Sequence, residues 1–536
     1  VRISLTVQDS TTLSQRPTGW REIGIGVLLI TLASVLSYSP IVHNEFVDYD
    51  DPDYLTQNPH VSKGLNAATW RWAWTSYDAA NWHPITWLSH LLDVSILGQV
   101  SPVVTHVENV VWHGASSALL FVLLARSTGR YLPSLAVGLF FLLHPANVEA
   151  VAWGAQRKGV LSTFFGIATI GAYGCYVAGR TKGSRVCWYA ASIVLAALCL
   201  FAKPTWVPLP IFLFLVDLWP LGRRMKPAVL IDKIPFALLA FWVVWITLQA
   251  QEVAMDKSGV LPLSIRVPTA FSSLVWYLGL LVWPVHLSVL YPHPLQSPPA
   301  ERLLLATLIV VGISTFAWVV RRVPAIGVGW MGFLVSLVPT IGLVQVGVQV
   351  VADRYGYLSF IGLFVAICFG WWSLTEKWGV ADRASIGLLV VLATLLGGLT
   401  YQQVGRWRDS ITLFSQAASV TTNNYVAYSH LSQAYFEKGD IERAGYFSEQ
   451  VVQSGLRSAA ALTSLATFRA RQGRISDAEE LAREAIERNP RFADAYVTLA
   501  QILQQRGRRA EAVSVAKKSL EIDPENIEAR KIIDRP

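Results

Sequence analysis

Between residues 22 and 403 the chain alternates apolar runs with short polar connectors; beyond that it becomes polar and helix-forming. The apolar runs lie near 22–39, 107–126, 133–143, 159–179, 186–202, 205–218, 232–250, 266–283, 303–319, 326–342, 353–373 and 384–402. Because about 20 apolar residues cross a bilayer core, these runs predict a bundle of membrane helices. The pattern thus predicts two domains, a membrane domain over 1–403 and a water-facing helical domain over 404–536.

Arg and Lys mark the cytoplasmic loops. They cluster at Arg16 and Arg21, at Arg126 and Arg130, at Arg180, Lys182 and Arg185, in the "GRRMK" of 222–226, at Arg321 and Arg322, and around Lys377 and Arg383. This assignment puts the loop after residue 39, the "HPANVEAVAWGAQRKG" of 144–159 and the "VADRYG" of 351–356 outside. Twelve crossings would return the C-terminal domain to the cytoplasm, yet the charges at 321 require 285–302 to be outside, so one run does not cross. The run 266–283, flanked by Pro262 and Pro284, is taken as that one, with a short run such as 133–143 as the alternative. About eleven spans and an extracytoplasmic C-terminal domain follow. The polar N-terminal stretch is too long for the basic start of a cleavable signal, so the first span is expected to be a retained anchor.

A 34-residue period governs the end of the chain: Leu431, Leu465 and Leu499, then Gly439, Gly473 and Gly507, then Ala444, Ala478 and Ala512. Pro490 and Pro524 keep the spacing. This is the tetratricopeptide pattern, in which Gly permits the inter-helix turn, Ala permits close approach, and Pro ends the second helix. It predicts full repeats near 424–457, 458–491 and 492–525 with a C-terminal capping helix. A partial repeat is expected at "WRDSITLFSQAASVTT", with the last membrane helix standing in for its first helix and no flexible linker between. Such solenoids offer a concave surface to extended peptides.

Composition agrees: 53% of residues are hydrophobic and only 15% charged, against about 25% in soluble proteins. The 21 Trp suit a large membrane boundary. All four Cys lie inside predicted spans and read as small apolar residues, and no interleaved basic-aromatic surface of the kind that grips nucleic acid is present.

Ionisable residues at membrane depth mark functional cavities, and here they concentrate on the outer side. The loop 40–105 opens with Asp48, Asp50, Asp51 and Asp53, four carboxylates in six residues, and continues with "NWHPITWLSHLLD", which contains His83. Further candidates are His106, Asn109 and His113 at helical spacing, then His144, Glu149, Arg157 and Lys158, then Lys203, then Asp353 and Arg354. Read as an EF-hand, the acidic loop would need Gly and Glu where Asp53 and Pro59 stand. Helix capping by an Asp, or general-base work on a substrate hydroxyl, remain for it. Arg157, Lys158 and Arg354 are cations against the positive-inside trend, suited to phosphate oxygens. For Arg157 and Lys158 the alternative is ion pairing with Glu149 along one helix, since 149, 153 and 157 share a face. For His106 and His113, buried hydrogen bonding is favoured over a metal site. Carboxylate and cations on one cavity describe transfer from a lipid phosphate.

In order, "FVDYDDPDYL", "HPITWLSHLLD", "THVENVVWH", "HPANVEAVAWGAQRKGVLS", "AKPT" and "ADRYGYLSFIG", followed by tetratricopeptide repeats, resemble the transmembrane and tetratricopeptide-repeat O-mannosyltransferases and their bacterial relatives. The resemblance implies a GT-C glycosyltransferase: an all-α polytopic bundle followed by a repeat solenoid, taking sugar, possibly mannose, from a polyprenyl phosphate. It matches the paired acids to Asp50 and Asp51, with Asp50 favoured as the catalytic base and Asp51 close behind, and it carries over Glu149, Arg157, Asp353 and Arg354. Taken with the reading of the residues, donor-phosphate binding falls to Arg354, Arg157, Lys158 and Lys203, and support to His83, His106, His144, Glu149 and Asp353, with no metal ligand set. The implied reaction is inverting transfer to Ser or Thr hydroxyls of an extracytoplasmic protein held by the repeats. The implied setting is a multi-pass protein of a bacterial inner membrane with its repeats in the periplasm. Three other readings stay open: a glycolipid- or polysaccharide-modifying transferase, a non-enzymatic repeat scaffold, and a lipid-linked sugar transporter, for which paired inverted repeats are expected and not evident.

Overall fold

A computed structural model describes residues 19–224, 226–254, 261–293, 296–343, 349–378, 382–455 and 457–534. They are almost entirely helical; the short extended segments Tyr291–Pro292 and Gln349–Val351 are the only strands among them. The all-α architecture expected from the apolar pattern and the 34-residue period is the one adopted. Two compact units form. The first comprises the described residues up to Phe46 together with Asp50–Val285 and His293–Arg408, and the second comprises Val47–Tyr49, His286–Pro292 and the chain from Asp409 on.

Nine helices among the described residues are long and apolar enough to span a membrane, or ten if the pair Tyr131–Leu143 and Pro145–Ala152, bent by 53°, is one span. The chain is a multi-pass membrane protein. The count falls below eleven because two apolar runs form helices of only 10 and 14 residues, Leu209–Leu218 and Pro324–Leu337. At 1.5 Å per residue these reach about 15 and 21 Å, short of a core about 30 Å thick. The run 266–283, selected as non-crossing, lies in the 20-residue helix Leu263–Val282, which meets the length and composition of a span.

Two helix breaks shape the first unit. Pro145 ends the helix Tyr131–Leu143 and leaves carbonyls without intrahelical partners, which inside a membrane must be satisfied by other groups. Tyr38 Oη donates to the Leu142 carbonyl at 3.3 Å, His113 Nε2 bonds it at 3.1 Å, Thr400 Oγ1 donates to that of Leu143 at 2.6 Å, and Asn147 Nδ2 to that of Phe141 at 2.7 Å. At the second break, where Trp153 is extended between the short helix Val148–Ala152 and the helix Arg157–Ala178, Asn109 Nδ2 donates to the carbonyls of Val151 and Trp153 at 3.1 and 3.2 Å. Polar side chains that look out of place in apolar runs are therefore the partners of broken backbone.

Close packing comes from small residues. A Cβ on Gly362 would lie 2.4 Å from the Gly329 carbonyl oxygen, and one on Gly329 would lie 2.3 Å from that of Gly362, so the helices Pro324–Leu337 and Asp353–Trp378 touch backbone to backbone.

The second unit contains the helix Ser410–Val420, the pairs Tyr425–Glu437 with Ile441–Gln453, Ala459–Arg471 with Ile475–Arg488 and Ala493–Gln505 with Arg509–Ile522, and the helix Ile527–Asp534. Gly439, Gly473 and Gly507 sit at φ +78°, +78° and +73°, which side-chain-bearing residues rarely adopt. Ala444, Ala478 and Ala512 are buried between helices. Within the same unit Tyr49 packs edge-on against Phe414 and His430, and the Asp48 amide donates to Ser410 Oγ at 2.8 Å.

Replacing Gly362 by Leu is expected to lower the thermal unfolding midpoint in detergent, at a cost of about 1–3 kcal/mol for overpacking. Gly279→Ala, which adds a methyl with nothing within 4 Å, should leave it unchanged. Equal midpoints for Gly362→Leu and wild type would contradict the backbone contact.

Candidate functional site

A cavity of about 530 Å³ opens in the first unit, and Asp50, Lys158, Lys203 and Arg354 all lie on its wall. The volume falls in the usual range for small-molecule sites, about 300–1,000 Å³. Each charged residue arrives from a different element. Asp50 precedes a single wide turn, Pro52–Thr56; Lys158 stands in the first turn of Arg157–Ala178; Lys203 ends Lys182–Ala202; Arg354 begins Asp353–Trp378.

The paired acids separate cleanly. The Asp51 side chain is fully buried and its Oδ1 accepts from the Ala155 amide at 2.7 Å, tying the acidic loop to the turn at Gly154. Asp50 keeps 39% of its side chain exposed, faces the cavity, and stands 3.9 Å from Lys158 Nζ.

Lys158 Nζ also donates to Tyr54 Oη at 2.8 Å and sits 4.0 Å from the centroid of that ring. Tyr54 in turn stacks on His83 and Trp87 at 5.4 and 5.0 Å, so an aromatic stack positions the ammonium. Burial, followed by the charge of Asp50, holds the Tyr54 hydroxyl protonated, well above its ordinary range. The His83 imidazole is pushed well below its usual value by burial and then by Lys158 and Lys203, which keeps it neutral.

Lys203 Nζ donates to Gln156 Oε1 at 2.9 Å. Burial, then Lys158, then Arg354 drive its ammonium well below the usual lysine range. Arg354 is held by Glu149: its guanidinium pairs with Glu149 Oε1 and its backbone amide donates to Oε2 at 2.7 Å. The guanidinium lies 5.3 Å from the Trp153 ring centroid and 5.2 Å from that of Tyr355.

Arg157 is not brought to the cavity. Its fully buried guanidinium bonds Asn109 Oδ1 at 2.6 Å, Asp93 at 3.2 Å, the Thr105 carbonyl at 3.1 Å and Glu108. This corrects both sequence readings of the residue. Because the chain breaks at Trp153, residues 149, 153 and 157 share no helix face, and Glu149 pairs with Arg354 instead. His106 bonds the Glu45 carbonyl at 3.3 Å, His144 that of Leu281 at 3.0 Å, and His113 Nδ1 the Tyr357 hydroxyl at 2.7 Å; none of the three lines the cavity. Asp353 is buried beside Arg354 at the helix start.

Several cavity residues escaped the sequence reading. Arg266 adds a fourth cation, and Asn81, Gln156, Gln251 and Gln349 bring side-chain amides suited to hydroxyl groups. Tyr54 carries a readable signal, since it lies four residues after Asp50 in the same acidic motif. Arg266 sits at the edge of an apolar run, and single amides such as Gln251 and Gln349 carry none, whereas Asn81 and Gln156 lie within the motifs at 81–93 and 144–159.

Comparison with known proteins bears on this site. A protein O-mannosyl-transferase of Caenorhabditis elegans is 23% identical over 457 residues, covering 78% of this chain and 61% of its own length. The chain is similar to the protein O-mannosyl-transferases. Tmtc1 and Tmtc2 of Drosophila melanogaster, which carry the same description, are 29% and 28% identical over 145 and 169 residues, or 27% and 29% of this chain and 16% and 18% of theirs. The chain thus spans between 16% and 61% of the length of these relatives. Residues 428–533 match the cilia and flagella-associated protein 70 middle TPR-like domain. One solved structure, the crystal structure of APC/C hetero-tetramer Cut9-Hcn1, matches 85% of this chain and 90% of that one at 14% identity and a TM-score of 0.23.

Arg157→Met strands Asp93 and Glu108 without their cation and is expected to cost roughly 3 kcal/mol, the low end for a broken buried pair because Glu108 keeps access to water. Lys158→Met, which leaves the Glu149–Arg354 pair intact, should stay folded. Fluorescence-detected size exclusion and thermal unfolding distinguish the two, and a fully stable Arg157→Met protein would return this residue to the list of candidate ligand contacts.

Proposed function

We propose that the chain is a membrane protein O-mannosyltransferase that moves mannose from a polyprenyl phosphate to a Ser or Thr hydroxyl, with inversion at the anomeric carbon. The observation that carries the reading is one carboxylate, Asp50, sharing a cavity wall with Lys158, Lys203 and Arg354. The acceptor hydroxyl gives its proton to Asp50 as its oxygen bonds C1 of the sugar. The bond from C1 to the phosphate oxygen breaks on the opposite face, and its electron pair leaves with the phosphate. Lys158, Lys203 and Arg354 stabilise that departing charge, in surroundings where preorganised donors count for more than in water. Arg266 extends the same positive wall. Amides of Asn81, Gln251 and Gln349 meet the sugar hydroxyls. Asp51, through its bond to Ala155, acts as a positioning residue, and Glu149 serves Arg354 in the same way. Arg157, His106 and His144 support the framework.

The donor cavity faces the extracytoplasmic side in this reading, consistent with the basic loops at the other end of the bundle. The repeat unit presents the acceptor peptide. The comparison supporting mannose and protein as substrates is the shared description of the relatives above.

Purified protein in nanodiscs, supplied with polyprenyl-phosphate-mannose and Ser/Thr peptides, should label peptide. Asp50→Asn should lower that rate by about a hundredfold or more while donor binding and thermal stability persist. Asp51→Asn should instead lower stability, by about 1–3 kcal/mol. A fully active Asp50→Asn protein would remove the base and revive the scaffold reading.

Lys203 supplies a test with a sign. Its proton is weakly held because of burial and the neighbouring Lys158 and Arg354, and a phosphodiester, which carries one fixed negative charge, restores the ammonium. Donor binding therefore takes up a proton, and affinity rises as pH falls through the depressed lysine value. Calorimetry in two buffers of different ionisation enthalpy should show that uptake in wild type and its loss in Lys203→Met. Identical proton exchange in both would exclude Lys203 from the clamp.

A further inference from the structure

At the far end of the helix that carries Lys158 lies a second hollow, of about 380 Å³, walled by Tyr176, Arg180, Lys182, Arg185 and Tyr189. Tyr176 is 18 residues beyond Lys158 on that helix, so the two sites stand about 27 Å apart along its axis, close to a bilayer core. We infer that this hollow binds the phosphate of an anionic membrane lipid at the basic end of the bundle.

Three cations fall within six residues, 180–185, and neither Arg180 nor Lys182 has an ion-pair partner among the described residues. Cations placed only to orient the chain in the membrane need no built surroundings, but these have them. The Arg185 guanidinium lies 5.1 Å from the Tyr176 ring centroid. The Tyr176 hydroxyl donates to Asp232 Oδ1 at 3.0 Å, and the Tyr189 hydroxyl to the Asp232 carbonyl at 2.9 Å. Asp232 Oδ2 accepts from Arg223 at 2.9 Å, and Arg223 pairs with the fully buried Asp217, which also holds Lys233. Both tyrosine walls are therefore locked to an ionic network inside the bundle, and the one carboxylate that touches them, Asp232, is already shared with Arg223. What faces the hollow is uncompensated positive charge on a preformed frame.

The surroundings indicate where the anion comes from. Val186, Trp188 and Val194, on the same helix as Arg185, are exposed and apolar, a surface that belongs in lipid. A phosphate held here is attached to an acyl-bearing headgroup whose chains lie along that face, and basic pockets between membrane helices are suited to such headgroups. The inference uses none of the donor-cavity residues, so it stands or falls apart from the transferase reading.

The test uses the full chain in nanodiscs of phosphatidylcholine with and without phosphatidylglycerol, transferred to detergent and analysed for retained lipid by native mass spectrometry. Wild type should retain phosphatidylglycerol in preference to phosphatidylcholine, and each of Arg180→Gln, Lys182→Gln and Arg185→Gln should weaken retention by about fivefold. Arg491→Gln, in the repeat unit, should not. Inorganic phosphate at millimolar concentration should not displace the lipid. If it does, the hollow is a site for free phosphate and the lipid assignment is overturned. Should a variant fail to fold, the wild-type comparison decides alone: equal retention of the two lipids overturns the proposal.

Discussion

One buried ion pair governs the first unit: Glu149 with Arg354, 205 residues apart in sequence. Neither charge is tolerable alone at that depth, since an unpaired buried ion costs several kcal/mol. Glu149 answers by taking both the guanidinium and the backbone amide of Arg354, which fixes the start of the helix Asp353–Trp378 and the direction of the arginine together. The guanidinium is then held beside Trp153 and Tyr355 with one side on the cavity. The arginine on the cavity wall is thus already paired, and its carboxylate partner is not among the residues that line the cavity.

The same economy recurs wherever the chain departs from regular helix. Pro145 and the extended Trp153 each free carbonyls in an apolar setting, and Tyr38, His113, Thr400 and Asn109 take them up. These breaks are what let the segment 144–159 turn back on itself, so that Glu149, the Ala155 amide and Lys158 reach three different partners. Arg157 and Lys158 show the consequence in adjacent residues. The first is enclosed by Asp93, Glu108 and Asn109 and holds the framework, while the second, turned by one residue, reaches Tyr54 and the cavity. Cavity charge arises from that division: Lys158, Arg266 and Arg354 outnumber Asp50, while burial holds the Lys203 ammonium well below the usual lysine range.

Much of this was legible in the residues. Apolar run length identified the membrane helices, and the 34-residue period identified the repeats down to the turn glycines, because both signals come from local physics: hydrocarbon thickness in the first case, backbone conformation and helix contact in the second. The acidic motif and the connector cations marked Asp50, Lys158 and Arg354, which gather at one cavity, since unpaired charge at membrane depth is too costly to be idle. Which of two neighbouring acids or cations faces the cavity had no local signal: the sequence reading favoured Asp50 over Asp51 but grouped Arg157 with Lys158. Asp50 and Asp51, or Arg157 and Lys158, differ by one position, and only the packing around them decides which is enclosed. Arg266, Gln251 and Gln349, dispersed singly, gave no local signal, whereas Asn81 and Gln156 lie inside motifs the sequence had already marked. Nor did the pairing of Glu149, whose expected partner lay eight residues away on a helix that breaks and whose actual partner lay on a distant one. Sequence alone determined that a membrane helix bundle and a repeat solenoid form and where charge must collect, because those follow from each segment's own contact with lipid or water. Tertiary structure decided which charges meet, because a helix break redirects every side chain beyond it and only a folded neighbour can supply the missing partner.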